Sequence, residues 1–209
     1  MDTQNQLSKP DLFEEKAQDW DANERIQKLS TAIGAAILEQ LPLEPTMHVM
    51  DFGAGTGLIS GHVAPRVASI LAVDVSQGML DKLAAKPQLQ GKVTTLCQDI
   101  TEQPLNERFD LILSAMAMHH IEDTERLLTS LASHLKPGGR VALADLDPED
   151  GSFHPAGTEG VFHRGFDRQK LQQLMEKSGF ENVRFITAHT VNKEGRDYPV
   201  FLVTGKKTS

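Results

Sequence analysis

The sequence predicts an α/β fold built on a mainly parallel sheet, and three observations carry that expectation. Apolar runs of strand length alternate with segments of helical periodicity, the pattern of strand–helix units packed in layers. The first run, "HVMDF" at 48–52, passes directly into glycines at alternate positions, Gly53, Gly55 and Gly57, and then into a helical pattern. The last two runs have no helix between them, only about nine residues holding Gly195, so they predict a final antiparallel pair.

Taken in order, "ANERIQKLSTAIGAAILEQL" places Ile26, Leu29, Ile33, Ile37 and Leu41 on one apolar helix face, and Pro42 and Pro45 stop it. Strands are expected at 48–52, 69–73, 93–97, 109–113 and 140–144, with helices between them. In "LKPGGR", Pro137 and the two glycines after it are expected to end a helix and turn the chain into the fifth strand. A helix over 167–178, a strand near 182–188 and a strand near 198–204 complete the series. No internal repeat or low-complexity segment interrupts it.

Composition bounds the function. A chain of 209 residues and 23.0 kDa fits one domain. Its 39% hydrophobic and 24% charged residues are those of a globular protein, and no apolar run approaches the ~18 residues of a membrane span. The start, "MDTQNQLSKPDLFEEK", lacks the basic and apolar regions of a leader, so a cytoplasmic location is expected. Cys97, the one cysteine, excludes an internal disulfide and reads as a small core residue of a strand. A net charge of −8 argues against a broad nucleic-acid face and favours small-molecule or protein partners.

Glycines at a strand-to-helix turn let backbone approach a ligand closely, beside the free N–H groups of a helix start. The dinucleotide pattern G-x-G-x-x-G fails, because Leu58 stands where the third glycine belongs. The pattern is instead an acid, Asp51, followed by the alternating glycines; a carboxylate there would repel a pyrophosphate and attract an ammonium group. Asp74 ends the second strand, about 20 residues past the first glycine, where a carboxylate accepts hydrogen bonds from ribose hydroxyls. Asp99 ends the third, near where an adenine amino group would lie. Any one such acid is commonly a helix cap, but acids at three consecutive strand ends point to a nucleoside.

With these residues in view, the sequence resembles the class I S-adenosylmethionine (SAM)-dependent methyltransferases over most of its length. The matching stretches are "VMDFGAGTG", "LAVDVSQGML", "CQDI", "FDLILSAMAMHHI", "LLTSLASHLKPGGRVALAD" and "GFDRQKLQQLMEKSGF". The resemblance implies a Rossmann-like three-layer sandwich with a seven-stranded sheet of order 3-2-1-4-5-7-6, strand seven antiparallel. One domain would span 1–209, with cover helices over 1–45 and the core over 46–209. It also implies that Gly53, Ala54 and Gly55 lie along the methionine part of SAM, with Asp51 acting on its amino group through water or backbone. Asp74 would hold the ribose hydroxyls, with Val75 and Met79 of the same stretch completing the cofactor side. Asp99 and Ile100 would meet the adenine, and Ser114 would face the cofactor from strand four. Trp20 and Asp21 stand in place of a frequent Tyr-Asp in the entry helices, and an aromatic face near a sulfonium suits a cation–π contact.

The chemistry implied is in-line attack of an O, N, S or C nucleophile on the sulfonium methyl, leaving S-adenosylhomocysteine (SAH). His119 and His120 follow strand four at the ligand-binding edge of the sheet and are the candidates to receive an acceptor proton. The broken segment from Asp145 to Phe166, with His154 and His163, reads as a loop overhanging the acceptor pocket. It has no tight metal-ligand spacing, and methyl transfer needs no metal. The N-P-P-Y or D-P-P-Y motif of amino-methylating relatives is replaced by "SAMAMHH", which turns the expectation from nucleic-acid bases and protein amides to a small-molecule acceptor. The competing readings are a module that binds SAM or SAH without turnover and, disfavoured by Leu58, an NAD-dependent dehydrogenase.

Overall fold

The computed structural model describes residues 19–208. A short 3-10 turn, Trp20–Ala22, leads into helix α1 (Glu24–Gln40). Asn23 caps that helix, its side chain accepting from the N–H groups of Arg25 and Ile26, and Leu29, Ile33 and Ile37 form the buried face that their spacing predicts.

The strands are β1 (His48–Phe52), β2 (Ser69–Asp74), β3 (Val93–Cys97), β4 (Phe109–Ala115), β5 (Leu135–Leu146), β6 (Phe180–Lys193) and β7 (Arg196–Lys207). They form one sheet of order β3-β2-β1-β4-β5-β7-β6, as the resemblance implies. The neighbours from β3 to β5 pair in parallel, and β7 runs antiparallel between β5 and β6. Helices α2 (Leu58–Val63), α3 (Gln77–Ala84), α4 (Thr124–Ser133) and α5 (Arg168–Lys177) connect them, except that 98–108 joins β3 to β4 without the expected helix.

Alternation along the strands divides the core between two faces. Leu111 and Leu113 of β4 pack with Ile33 and Ile37 of α1 and with Leu80 and Leu83 of α3. Ile112, between them, joins Leu127 and Leu131 of α4 and Met175 of α5 on the opposite side. The result is a three-layer sandwich. The strand order reverses between β1 and β4, so the crevice outside their carboxyl ends is where a ligand is expected.

Three local expectations change. The "KPGG" segment is not a separate turn: α4 ends at Ser133, and the chain enters β5 at Leu135. The pairing with β4 skips from Phe109–Leu135 to Leu111–Arg140, so the glycines sit in a bulge inside the strand. Cys97 is exposed rather than part of the core, because β3 is an edge strand, and its thiol donates to the Val75 carbonyl at 3.6 Å. The last two strands are much longer than expected. Lys193 pairs with Arg196 across a two-residue turn, Glu194-Gly195, with φ of 55° and 77°, the geometry that matches strand twist in a tight hairpin.

Glu194 sits where an L-residue with a bulky side chain is disfavoured, and asparagine is tolerated there. Glu194→Asn is expected to stabilise the protein by ~0.5–1 kcal/mol, about half of the left-handed penalty, read as a higher denaturation midpoint with an unchanged slope.

Candidate active site

At the carboxyl ends of β1, β2 and β4 lies a cavity of about 450 Å³, roofed by the amino-terminal segment and by the loop after β5. The chain leaving β1 makes its floor. The N–H groups of Gly53 and Ala54 both donate to the Val73 carbonyl, at 2.8 and 3.1 Å, which fastens the turn to the tip of β2. Gly53 has φ 66°, and a Cβ there would stand 2.4 Å from that of Ala117. Gly55, φ 53°, would point a Cβ at nothing within 4 Å. The first glycine therefore permits contact with the chain leaving β4, and the second leaves space in the cavity.

The sequence-predicted acids converge here. Asp74 receives the Gly55 N–H at 2.8 Å on one oxygen and the Ser76 N–H at 2.9 Å on the other, so it braces the glycine turn from β2. Asp99 takes the N–H and hydroxyl of Thr101 on a single oxygen, at 2.9 and 2.6 Å. Asp51 is 1% exposed and accepts the Ser60 hydroxyl at 2.6 Å. Burial pushes its carboxyl up to about 7; the Asp74 charge adds to the rise, and the Ser60 hydrogen bond opposes it.

Ala54, Val75 and Met79 also line the cavity, and Val75 is 62% exposed at the strand tip. Ser114 and Ile100 do not. Alternation turns Ser114, fully buried, to the same side of β4 as Ile112, and the cavity wall is made instead by Ala115, Met116 and Ala117. Met116 has φ 57°, an uncommon backbone state at the exit of this strand. Ile100 packs into the core beneath α4, so at that strand end only Gln98 and Asp99 reach the cavity.

His119 and His120 occupy a 3-10 turn, Met118–His120, and both line the cavity. His119 is 1% exposed. Its Nδ1 lies 2.8 Å from one oxygen of Asp145 at the end of β5, and its backbone N–H donates to the other at 3.1 Å. His120 donates from Nδ1 to the Gly160 carbonyl at 2.6 Å, and burial, with the neighbouring His119 ring, holds its imidazole down at about 4. The His154 ring stands 5.0 Å from that of His119 and also lines the cavity. His163 does not line it. Its Nε2 faces the Ile121 carbonyl at 2.9 Å and the Thr124 hydroxyl at 3.2 Å, tying the loop to the histidine turn. Among the described residues no group of three or more His, Cys, Asp or Glu side chains is arranged to hold a metal ion.

Both covers are fastened. Asp21 accepts the hydroxyl of Thr56 from the glycine turn and pairs with Lys86 at 2.6 Å, and Trp20 lines the cavity. The part of the expected entry helices before residue 19 lies outside the described residues. The loop after β5 is held by the Tyr198 hydroxyl, 2.6 Å from that of Ser152, and by Lys193, which donates to the carbonyls of Ser152 and Phe153. At its far end, the Phe162 N–H donates to the His119 carbonyl at 2.9 Å.

Sequence reasoning missed Asp145, Ser60, Thr56 and Lys86 as members of this network. Asp145 carried a signal, an acid at the carboxyl end of a fifth parallel strand, the position that marked Asp74 and Asp99. The others carried none, since their partners lie far along the chain or pair only in the folded state.

A sheet whose order reverses beside β1, a glycine turn at that point and acids at the next two strand ends define a doubly wound α/β protein of the nucleotide-cofactor-binding kind. More narrowly, the chain belongs to a family of methyltransferase domains, whose profile matches residues 22–184. It is 33% identical to an uncharacterized methyltransferase of Schizosaccharomyces pombe over 157 residues, covering 67% of this chain and 55% of the relative. It is 30% identical to a ubiquinone biosynthesis O-methyltransferase of Coxiella burnetii over 141 residues, covering 65% and 60%. The chain thus spans little more than half the length of these curated relatives. The fold recurs in a chain of the complex between the Haloferax volcanii Trm112 methyltransferase activator and a methyltransferase, with a TM-score of 0.78, 16% identity and coverage of 97% and 100%. It recurs as well in the N-methyltransferase NodS of Bradyrhizobium japonicum, with a TM-score of 0.71, 14% identity and coverage of 96% and 100%.

The raised carboxyl of Asp51 has a consequence for stability. Between its ordinary 3.8 and about 7, the folded state keeps a proton that the unfolded chain releases, so this group makes stability fall as pH rises across that window. His62, His120 and His134, held low by burial, slope the other way, so the readout is the difference between wild type and Asp51→Asn. Denaturant unfolding without ligand is expected to show no advantage for the variant at pH 4. The advantage should grow to ~2–4 kcal/mol by pH 8.

Proposed function

We propose that this protein is a SAM-dependent methyltransferase acting on a small, largely apolar acceptor. The observation that carries the reading is one continuous cavity with Asp74 and Asp99 on one side and His119 and His120 on another, the glycine turn forming its floor. In this reading Asp74 accepts the ribose hydroxyls. Its oxygens accept the Gly55 and Ser76 N–H groups, and a carboxylate oxygen can accept more than one hydrogen bond. Asp99 accepts from the adenine amino group, and Val75 and Met79 offer apolar contact to the base. Gly53, Ala54 and Gly55 border the methionine part, and Asp51 faces its ammonium. Meeting that cation drives the Asp51 carboxyl to its charged form, so burial of the acid and binding of the ligand are coupled.

When bound, SAM supplies a methyl group on a positively charged sulfur. The residues of the chain orient it, exclude water and present the acceptor. Orientation of this kind is worth ~7–11 kcal/mol when geometry is well held. Ile26, Ile33, Ile121 and Phe153 add apolar lining to the cavity, and the histidines are polar groups beside them. That lining favours an apolar body carrying one reactive polar atom. The Coxiella burnetii relative, named for O-methylation in ubiquinone biosynthesis, agrees with such an acceptor. No helix among the described residues is long and apolar enough to cross a membrane.

Titration calorimetry with SAM, SAH and NAD tests the reading, and binding of the first two with no NAD signal is expected. Tight NAD binding without SAM would overturn it. Asp74→Ala should weaken SAM by ~1–3 kcal/mol, through loss of a charged acceptor in a partly buried site. Release of SAH in the presence of an acceptor separates an enzyme from a module that only binds.

A further inference from the structure

His119 is clamped on one side only. Asp145 accepts the backbone N–H of His119 on one oxygen and that of Leu146 on the other, at 3.1 and 2.8 Å, so its carboxylate serves as an acceptor toward everything it touches. The third contact, 2.8 Å from His119 Nδ1, therefore places the ring proton on Nδ1 and makes Nε2 the acceptor nitrogen. Nε2 is buried and has no hydrogen-bond partner among the described residues, in a side chain that lines the cavity. A buried acceptor of this kind is built for a donor that arrives with a ligand. His120 differs: its Nδ1 rests on the Gly160 carbonyl.

We propose that His119 is the general base of the reaction, that Asp145 is the positioning residue holding its proton on Nδ1, and that the acceptor is a hydroxyl or thiol. This rests on the methyltransferase reading. The acceptor oxygen or sulfur forms a bond to the methyl carbon as the carbon–sulfonium bond breaks, and that electron pair neutralises the sulfonium. The acceptor proton passes to His119 Nε2. The imidazolium so formed faces the Asp145 carboxylate, and the proton then leaves to solvent. Acceptors with no proton to lose, such as tertiary amines and thioethers, gain nothing from this device. The titratable groups facing His119 are Asp145 from β5, His120 from its own turn and His154 from the loop, with ring centroids at 4.1 Å for His120 and 5.0 Å for His154.

Two measurements test this. Long-range proton–nitrogen NMR of the ¹⁵N-labelled protein without ligand reads the tautomer of His119 and needs no variant to fold. The proton is expected on Nδ1 near neutral pH, and should move to Nε2 in Asp145→Asn. A wild-type proton on Nε2 overturns the proposal. The second measurement is SAH release with phenols, aliphatic alcohols and thiols, against tertiary amines and thioethers. With hydroxyl or thiol acceptors, His119→Ala and Asp145→Asn should lower turnover by ~10²-fold or more at unchanged SAM affinity. Wild-type turnover in His119→Ala, or methylation of aprotic acceptors alone, overturns it. The two levels separate cleanly: SAM binding with the wrong tautomer sinks only the base assignment, whereas absence of SAM binding sinks the methyltransferase reading and the base with it.

Discussion

The turn leaving β1 is the constraint on which the site depends. It must pass close to the chain leaving β4, because a Cβ at Gly53 would stand 2.4 Å from Ala117. It must also stay fastened to β2, through the Val73 carbonyl and the Asp74 carboxylate. With both conditions met, the backbone is flat enough to leave the space above Gly55 open. The amino-terminal segment then has a fixed surface to close on, through Asp21 and Thr56. Loosening the turn at either neighbour would move the cavity floor and the cover together.

Charge divides the cavity into two chemically distinct parts. Asp51, Asp74 and Asp99 stand on the side of β1 to β3, while the side of β4 and β5 carries His119, His120 and His154. A cluster of acids favours a cation, and burial raises the carboxyl of the most enclosed of them, Asp51, to about 7. On the other side, burial keeps His120 neutral and a hydrogen bond to Asp145 orients His119. Low dielectric disfavours charge on both sides of the cavity, raising the Asp51 carboxyl and lowering the His120 imidazole.

What was legible in the sequence follows from the range of the forces involved. The parallel strands could be read because each carries its own apolar run, and their order in the sheet came from the resemblance to the methyltransferase family. Asp74 and Asp99 announce themselves locally in the same way. Ser114 turned away from the cavity because facing depends on strand parity, and a shift of one residue sends a side chain to the opposite side of the sheet; Ile100, in the turn beyond β3, packs into the core instead. The length of β6 and β7 was hidden because Glu194-Gly195 is not one of the usual turn pairs, although its backbone takes their geometry. Asp145 was seen as the start of a polar loop, while its partner His119 lies 26 positions earlier, a pairing that only the β4–β5 register brings about.

That hairpin also explains how a loop broken by glycine and proline keeps a defined shape over the site. Because β6 and β7 run on past the sheet body, Lys193 and Tyr198 stand beside the loop and hold Ser152 and Phe153, while Arg196 pairs with Asp150. At the other end, Gly160 and Phe162 bond to the histidine turn. His154 lies between the two anchors, in the stretch that meets the acceptor side of the cavity. Changes at His154 and Pro155 can therefore reshape the cavity wall without releasing either anchor, and changes in the hairpin act on the cavity without touching it. The loop and the cavity are thus joined through His119, whose backbone carbonyl holds the loop and whose ring lines the cavity.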